Sequence, residues 1–297
     1  MRLCAWLVWW SVSLWRKTWH LAVAICCIYL VAACEAPRLP WEPRHLRAAA
    51  APDARPLDVV FYTAAFGASY AQMANDWCAA MEQNAAHHVL APRVGGGRKR
   101  YLVFTDDPRR LTGCARKWTM RLDLGPKPDS GVIKAVKFAR VNLYTPPAKF
   151  YCWLDIDVRP TRARAYWFDG VLRDLAESQT LEGPTAIAMT PTRRDKGFNG
   201  GLFVYANRGC VDDWQRIFTR EDVRSRDQRA LRLATDRGLC NVSLLPGPTQ
   251  TYFKNADALI LRRSELRRTF DYAFVHLTGK MHRTSLGFAW LRWRGIY

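Results

Sequence analysis

The stretch Phe150-Tyr151-Cys152-Trp153-Leu154-Asp155-Ile156-Asp157 decides how this chain is interpreted, because an apolar strand ends there on two aspartates. Residues i and i+2 of an extended chain point to the same face, so Asp155 and Asp157 would present their carboxylates side by side. Such a pair suits a hard divalent cation, Mg²⁺ or Mn²⁺, which prefers oxygen ligands and can be shared with a diphosphate. An acidic turn after a buried strand has the same pattern, so the surrounding sequence has to separate the two.

Short apolar runs on both sides of this motif predict a sheet. We expect strands at residues 58–63, 100–105, 118–124, 150–156, 186–190 and 201–205, and helices at 71–85, 132–143 and 226–236. Strands that alternate with helices indicate an α/β fold, in which a mostly parallel sheet is covered by helices on both faces. Ligands of such sheets bind beyond the carboxyl ends of the strands.

A second motif places two glycines after Asn199, directly before an apolar strand. Gly200 and Gly201 would let the backbone approach a ligand closely, and the Asn199 amide can both donate and accept hydrogen bonds to a sugar. Asn-Gly is equally typical of a hairpin turn.

Two further motifs combine polar residues that could act on a sugar phosphate. Asp227 and Gln228 open a predicted helix, where an aspartate also serves as a simple cap. His276 could give a nitrogen to a metal, and Lys280 could contact a phosphate, although a core histidine and a solvated lysine fit the same pattern.

In this order the four motifs resemble those of GT-A glycosyltransferases, in particular nucleotide-diphospho-sugar transferases related to glycogenin and to the plant xyloglucan and arabinan enzymes. Those families share a strand-end Asp-x-Asp, a later Phe-Asn-x-Gly before a strand, an Asp-Gln on a following helix, and a C-terminal His-x-x-Gly followed by a basic residue. The resemblance covers about residues 57–282. It departs from the families in Arg159-Pro160 after the acidic motif and in lacking an aromatic-rich acceptor signature.

The resemblance implies a GT-A (Rossmann-like) fold and metal-dependent, retaining transfer of a sugar to a glycan or glycoprotein acceptor. Mn²⁺ or Mg²⁺ would be held by Asp155, Asp157 and His276, and the co-substrate would be a nucleotide-diphospho-sugar, expected to be a UDP-sugar. The donor would be bound by Phe61, Tyr62 and Thr63 in the nucleotide pocket and by Lys137, Arg140, Asp155, Gly200, Gly201 and Lys280. The sugar would be held by the catalytic set Asn199, Asp227 and Gln228.

The N-terminal sequence predicts a membrane anchor. Residues 18–34 are apolar except for His20, and at about 1.5 Å per residue they can just cross a ~30 Å hydrocarbon core. Basic residues precede this run and acidic ones do not, which favours a cytosolic N-terminus. We therefore expect a cytosolic tail and signal-anchor helix at 1–34, a Pro/Ala/Arg-rich stem at 35–56, and a lumenal domain at 57–297 in the Golgi or ER membrane. A cleaved signal peptide and a lipoprotein box remain alternatives, and each would also deliver the domain across a membrane.

Composition excludes several classes of protein. The chain has 297 residues, of which 49% are hydrophobic, too many for a disordered chain. Its net charge of +19 attracts anions. No zinc-finger spacing, RNA-binding motif or basic-zipper heptad accompanies that charge, and a lumenal domain does not meet nucleic acid, so we expect no nucleic-acid partner. An anionic acceptor or an Arg-rich background composition explains the charge.

Two features agree with a secretory lumen. Asn241-Val242-Ser243 is an N-glycosylation sequon. Cysteines beyond the predicted anchor show no metal-binding spacing and could form disulfides, whose pairing the sequence does not determine: Cys78, Cys114, Cys152, Cys210 and Cys240.

Two other functions compete with sugar transfer. Residues 154–158 also resemble the first motif of haloacid-dehalogenase phosphohydrolases, with Asp155 as nucleophile and Asp157 as general acid. That motif usually opens its fold, whereas three predicted strands precede it here. A non-catalytic lumenal binding protein on a degenerate transferase scaffold is the third possibility, because fold does not guarantee function.

Overall fold

The computed structural model describes residues 57–87, 99–117, 119–124, 130–162, 167–192, 197–220, 223, 226–254, 271–278 and 286–293. The predicted anchor at 1–34 and stem at 35–56 lie outside these ranges. Within the ranges, no helix is long and apolar enough to cross a membrane.

The described residues form ten strands, which fall into two sheets. The strands are β1 (Leu57–Ala65), β2 (Lys99–Thr105), β3 (Thr119–Arg121), β4 (Ala148–Leu154), β5 (Val158–Pro160), β6 (Ala186–Pro191), β7 (Phe198–Tyr205), β8 (Asn241–Leu244), β9 (Gln250–Lys254) and β10 (Phe274–Thr278). Seven strands form the central sheet in the order β3-β2-β1-β4-β7-β6-β8. All neighbouring pairs are parallel except those of β7, which is antiparallel to both β4 and β6.

Seven α-helices accompany these strands in the described part of the chain. They are α1 (Ala68–His87), α2 (Gly113–Lys117), α3 (Ser130–Ala135), α4 (Trp167–Glu177), α5 (Gly209–Phe218), α6 (Asp227–Asp236) and α7 (Leu286–Trp293). Helices α1 and α4 pack on one face of the central sheet, and α5 and α6 pack on the other. The predicted α/β class, with a mostly parallel sheet covered on both faces, is confirmed.

Each face of the sheet buries its own core because successive side chains of a strand point to opposite faces. In β1, the ring of Phe61 lies 6.4 Å from that of Phe168 in α4, on the first face. The next ring, Tyr62, lies 5.2 Å from Trp153 of β4, on the second face. The continuous apolar run of β1 fits a central strand that is buried on both faces.

The smaller sheet, in the order β5-β10-β9, begins where β4 ends. β10 is antiparallel to β5 and parallel to β9. His276 of β10 therefore pairs with Val158 of β5, directly after the Asp-x-Asp turn. Sequence patterns did not predict this sheet, whose strands come from distant parts of the chain.

Several predicted boundaries need correction, including the following three. The helix expected at 132–143 ends as α3 at Ala135 and continues as two 3₁₀ turns, Val136–Phe138 and Val141–Leu143. β1 extends to Ala65, two residues beyond its predicted end, because apolar residues continue the strand. β7 starts at Phe198, so Asn199, Gly200 and Gly201 belong to the strand and do not form a turn before it.

Candidate metal centre

Asp155 and Asp157 lie in the turn that joins β4 to β5, and backbone hydrogen bonds fix that turn to both sheets. The Asp155 N–H donates to the carbonyl of Gly201 in β7 (2.7 Å), and the Leu277 N–H of β10 donates to the carbonyl of Asp157 (3.1 Å). The turn closes on itself through the Val158 N–H, which donates to the Asp155 carbonyl at 2.9 Å. The two carboxylates are therefore presented at the carboxyl end of β4 on a rigid support.

Arg159 stabilises the same turn, and its side chain is fully buried. Its guanidinium donates to the carbonyl of Ile156 (2.5 Å) within the turn and to the carbonyl of Met73 (2.9 Å) in α1. The residue that departs from the family pattern thus ties the acidic turn to the first helix.

His276 completes a cluster with the two aspartates. Its Nε2 lies 3.1 Å from Oδ1 of Asp157, and one ligand atom from each of Asp155, Asp157 and His276 lies within 4.8 Å of the others. Tyr252 packs against the imidazole, with ring centroids 5.5 Å apart, and the side-chain amide nitrogen of Gln250 lies 2.9 Å from Nδ1. We call Asp155, Asp157 and His276 the acidic cluster.

The donor set fits a divalent metal ion. Two carboxylates and one imidazole supply the oxygen and nitrogen ligands that Mn²⁺ accepts. Gly201 shapes the floor of the site: a Cβ there would lie 2.6 Å from Cε1 of His276 and 3.0 Å from Oδ2 of Asp155. Only glycine lets β7 pass this close beneath the ligands.

Like charges lie close together in the acidic cluster. Burial raises the pKa of Asp155; Lys137 opposes this rise and Asp157 adds to it. Burial alone would lower the pKa of His276, but the carboxylates of Asp157 and Asp155 raise it by more. Trp153 donates its indole N–H to Oδ1 of Asp155 at 2.7 Å. A cation between the carboxylates would relieve the crowding of negative charge.

A second charged pair, Lys137 and Asp227, lies beside this cluster. Lys137 is buried, and its ammonium donates to Oδ2 of Asp227 (2.5 Å) and to the carbonyl of Gly200 (3.2 Å). It also lies 5.8 Å from the ring centroids of Trp153 and Trp214, within range of cation–π attraction. We call Lys137 and Asp227 the buried ion pair.

Both members of the buried ion pair are held in their charged forms. Burial opposes the charge of Asp227, but Lys137 outweighs it and lowers the carboxyl pKa. Burial likewise opposes the charge of Lys137, and Asp227 and Asp155 outweigh it and raise the ammonium pKa.

The backbone around Lys137 is fixed by two side chains of the sheet region. The Tyr62 hydroxyl donates to the carbonyl of Lys137 (2.8 Å), and Arg208 donates to the carbonyls of Phe138 (2.8 Å) and Ala139 (3.0 Å). These contacts place the lysine of a short 3₁₀ turn against the first residue of α6.

The structure corrects the position of the predicted nucleotide-pocket residues. Phe61, Tyr62 and Thr63 lie inside β1 and are buried, Phe61 and Tyr62 in the two cores, because the strand ends at Ala65. Their side chains do not line an open strand end. The end of β1 that faces the site is instead formed by Ala64 and Ala65.

The other predicted residues fall into three groups. Asn199 lies in β7, and its Oδ1 accepts the N–H of Gly201 (2.7 Å), so it supports the floor of the site from within. Gln228 is exposed in the first turn of α6, and Arg140 is half-buried at the start of the second 3₁₀ turn. Lys280 lies outside the described residues.

Several residues of the site were not predicted from the sequence. Trp153 lies two residues before Asp155, so the alternation of a strand could have identified it. Gln250 and Arg159 could not be identified from their neighbours in sequence, because Gln250 contacts β10 and Arg159 contacts α1.

Comparisons with known proteins find likeness in structure only. No protein-family profile matches the chain, and no curated protein matches its sequence. Among solved structures, a glycosyltransferase involved in glycosylation of the major capsid of PBCV-1 is 11% identical, with a TM-score of 0.47, and the match covers 79% of this chain and 99% of that one.

Two further structures are of the galactosyltransferase LgtC. The complex with donor and acceptor sugar analogues is 15% identical, with a TM-score of 0.43, covering 78% of this chain and 94% of that one. An active-site variant of LgtC is 16% identical, with a TM-score of 0.42, covering 80% and 95%. All three of these structures are of glycosyltransferases.

Proposed function

We propose that this protein transfers a sugar from a nucleotide-diphospho-sugar, expected to be a UDP-sugar, to a glycan or glycoprotein acceptor. The observation that carries the proposal is the convergence of the acidic cluster and the buried ion pair at the carboxyl end of β4. The two groups come from three separated parts of the sequence, around residues 137–157, 227 and 276. Their convergence places a metal-binding group beside a lysine whose charge is held by Asp227.

The acidic cluster would hold Mn²⁺ or Mg²⁺ through Asp155, Asp157 and His276. When bound, the metal would neutralise the negative charge that develops on the departing diphosphate. The protein's own part is to keep the three ligands in place, through Trp153 on Asp155 and through the backbone bonds of the turn. Preorganised ligands require little rearrangement when the donor binds.

Lys137 would supply a second positive charge to the donor. Its ammonium remains charged although it is buried, because Asp227 balances it. Asp227 in turn opens α6, next to Gln228, and this helix start would orient the hydroxyl groups of the donor sugar. Asn199 would keep the β7 backbone close enough for the sugar to lie against Gly200 and Gly201, with Arg140 and Lys280 around the diphosphate.

We place the domain in the lumen of the secretory pathway, anchored by residues 1–34 as a type II membrane protein. The described domain supports an oxidising compartment: Cys210 and Cys240 form a disulfide, and Cys78 is also disulfide-bonded. Disulfides persist in such compartments and are rare in the cytosol. Retention of anomeric configuration belongs to the same proposal and rests on the resemblance of the motifs.

The test is a screen of nucleotide sugars with the full-length protein and Mn²⁺, measuring release of the nucleoside diphosphate. We expect Asp157→Ala to lower turnover by about 10²–10³-fold, because the transition state loses a metal ligand. Asp236→Ala, an exposed aspartate at the other end of α6, serves as the matched control and should retain activity.

The screen also separates the competing functions. Metal-dependent turnover that survives Asp157→Ala in folded protein would remove the assignment. Release of inorganic phosphate from simple phosphate esters would favour a phosphohydrolase. Absence of both turnover and metal-dependent UDP binding would favour a non-catalytic binding protein.

A further inference from the structure

Gln250 is the first residue of β9, and its side chain faces the imidazole of His276. Both residues are almost fully buried, with 6% and 5% of their surface exposed. The amide nitrogen of Gln250 lies 2.9 Å from Nδ1 of His276, whereas its amide oxygen is buried without a hydrogen-bond partner in the described structure. A buried acceptor without a hydrogen bond destabilises the folded protein, so in this orientation the amide oxygen still lacks a donor.

The unpaired amide oxygen of Gln250 is the hydrogen-bond acceptor that His276 would need if a metal bound its Nε2. If the Gln250 N–H donates to Nδ1, a neutral imidazole carries its proton on Nε2, facing Asp157. A metal on Nε2 needs that lone pair, so the neutral ring must carry its proton on Nδ1 and needs an acceptor there. Rotating the Gln250 amide by half a turn exchanges its nitrogen for its oxygen and supplies that acceptor.

We propose that Gln250 is the positioning residue that sets the tautomer of His276, by turning its amide oxygen towards Nδ1 when a divalent cation occupies the acidic cluster. The inference rests on the proposed metal site. With the cation bound, the ring is neutral and carries its single proton on Nδ1. The same rotation gives the buried amide oxygen a partner.

The experiment measures Mn²⁺ affinity of the full-length protein without nucleotide, by electron paramagnetic resonance of free Mn²⁺. Gln250→Met keeps the side-chain length but cannot accept a hydrogen bond, and we expect it to weaken Mn²⁺ binding about 10–100-fold. Gln250→Glu accepts but, when ionised, cannot donate, so it should bind Mn²⁺ at least as tightly as the wild type. Gln215→Met, at a buried glutamine of α5, controls for the loss of any buried amide and should leave the affinity unchanged.

Nitrogen-15 NMR of the histidine rings gives a second measurement, the position of the imidazole proton, which would not change if Gln250 had only a structural role. The chain has six histidines, so the spectrum is tractable. With just enough Mg²⁺ to saturate the wild type, His276 of the wild type should be protonated at Nδ1 alone, whereas Gln250→Met, which binds the ion more weakly, should show a mixture of metal-bound and metal-free rings.

The outcomes separate the two proposals. Wild-type Mn²⁺ affinity in Gln250→Met, or an affinity in Gln250→Glu as weak as in Gln250→Met, overturns the role of Gln250 and leaves the metal site intact. A folded wild-type protein that binds no Mn²⁺ overturns the metal site and the role of Gln250 together.

A different observation supports a second inference, about Asn241 at the outer edge of the central sheet. Asn241 opens β8, the last strand of the sheet, whose only described strand partner is β6. The residue is exposed, and Leu244 at the end of the same strand is 60% exposed. Exposed edge strands can pair with other chains unless something covers them.

We infer that Asn241 carries an N-linked glycan that shields this edge. Asn241-Val242-Ser243 is the one Asn-x-Ser/Thr sequence of the chain. In the modification, the Asn241 amide nitrogen bonds to the anomeric carbon of a lipid-diphosphate-linked oligosaccharide, the bond from that carbon to the diphosphate oxygen breaks, and the amide loses one proton. The lipid diphosphate leaves.

Expression of the full chain in cells that glycosylate secretory proteins tests this inference. An N-glycan-cleaving glycosidase should increase the gel mobility of the wild type and of Ser243→Thr, and should not change that of Asn241→Gln or Ser243→Ala. A wild type that the glycosidase does not shift overturns the inference. Sugar-transfer activity is measured separately, so this failure would not bear on the proposed transfer reaction, although it would count against the proposed lumenal location.

Discussion

The acidic cluster and the buried ion pair are neighbours with opposite electrostatic characters. In the acidic cluster, like charges are crowded, and the pKa of Asp155 is raised. In the buried ion pair, opposite charges balance, and the pKa of Asp227 is lowered. The difference indicates where a bound cation would be stabilised: Lys137 and Asp227 balance each other, whereas Asp155 and Asp157 are two carboxylates that added positive charge would stabilise.

Removing one charge of the buried ion pair should have the largest effect on stability and turnover. Lys137→Met leaves the Asp227 carboxylate, which is 15% exposed, without its cation, and we expect the change to cost up to about 3–5 kcal/mol of unfolding free energy. If Lys137 also contacts the donor, turnover falls by about 10²–10³-fold. Denaturant unfolding and the nucleotide-release assay measure the two effects.

Two further variants separate stability from chemistry. Replacing both partners, Lys137→Met with Asp227→Leu, should recover much of the stability without restoring turnover. Lys149→Met removes a more exposed ion pair with Asp58 and should cost less than about 1 kcal/mol with full activity. Full turnover in a folded Lys137→Met protein would reduce the pair to a structural role.

Consecutive glycines of β7 allow the two regions to be perturbed one at a time. A Cβ at Gly201 would meet His276 at 2.6 Å, whereas one at Gly200 would meet Oδ2 of Asp227 at 3.0 Å and Nζ of Lys137 at 3.3 Å. We expect Gly201→Ala to weaken Mn²⁺ binding about 10–100-fold, by displacing a ligand held on a strand. Gly200→Ala should affect metal affinity less, because the ends of flexible side chains can move aside.

Gly170→Ala provides the control for both glycine variants. Its Cβ would meet no atom within 4 Å in α4, so the change should stabilise the helix by about 0.5–1 kcal/mol and leave Mn²⁺ affinity unaltered. Equal loss of Mn²⁺ affinity in Gly200→Ala and Gly201→Ala would show that the two regions respond as one unit.

The parts of the site that the sequence predicted are those with a local pattern. Asp155 and Asp157 follow from strand alternation, and the order of the motifs added His276 from far along the chain. Asn199 to Gly201 were expected before the strand because Asn-Gly is typical of a turn, yet they lie within β7, where the missing side chain of Gly201 leaves room for His276.

The errors and omissions have equally physical causes. Ala64 and Ala65 carry β1 past its expected end, so Phe61, Tyr62 and Thr63 lie inside the sheet. Gln250 and Arg159 act through β10 and α1, and contacts between distant segments leave no periodic trace in a single sequence.

The acidic cluster also predicts how stability should depend on pH without metal. Folding raises the pKa of both Asp155 and His276, so the folded protein binds more protons than the unfolded chain, and stability from these groups falls as pH rises. For His276 the contribution is fully present below its unfolded pKa of about 6.5 and is lost as pH passes its folded pKa. The lowered pKa of Asp227 acts in the opposite direction, but only in the acid range, near and below its ordinary value.

Thermal melts of metal-free protein across neutral pH should therefore show a decline in stability towards alkaline pH, and His276→Gln should flatten it. Saturating Mn²⁺ should reverse the slope, because the metal displaces the proton from the imidazole and is bound more tightly as pH rises. An identical slope with and without Mn²⁺ would mean that the imidazole does not exchange its proton for the metal. The acidic cluster and the buried ion pair would then differ in charge balance without differing in what they bind.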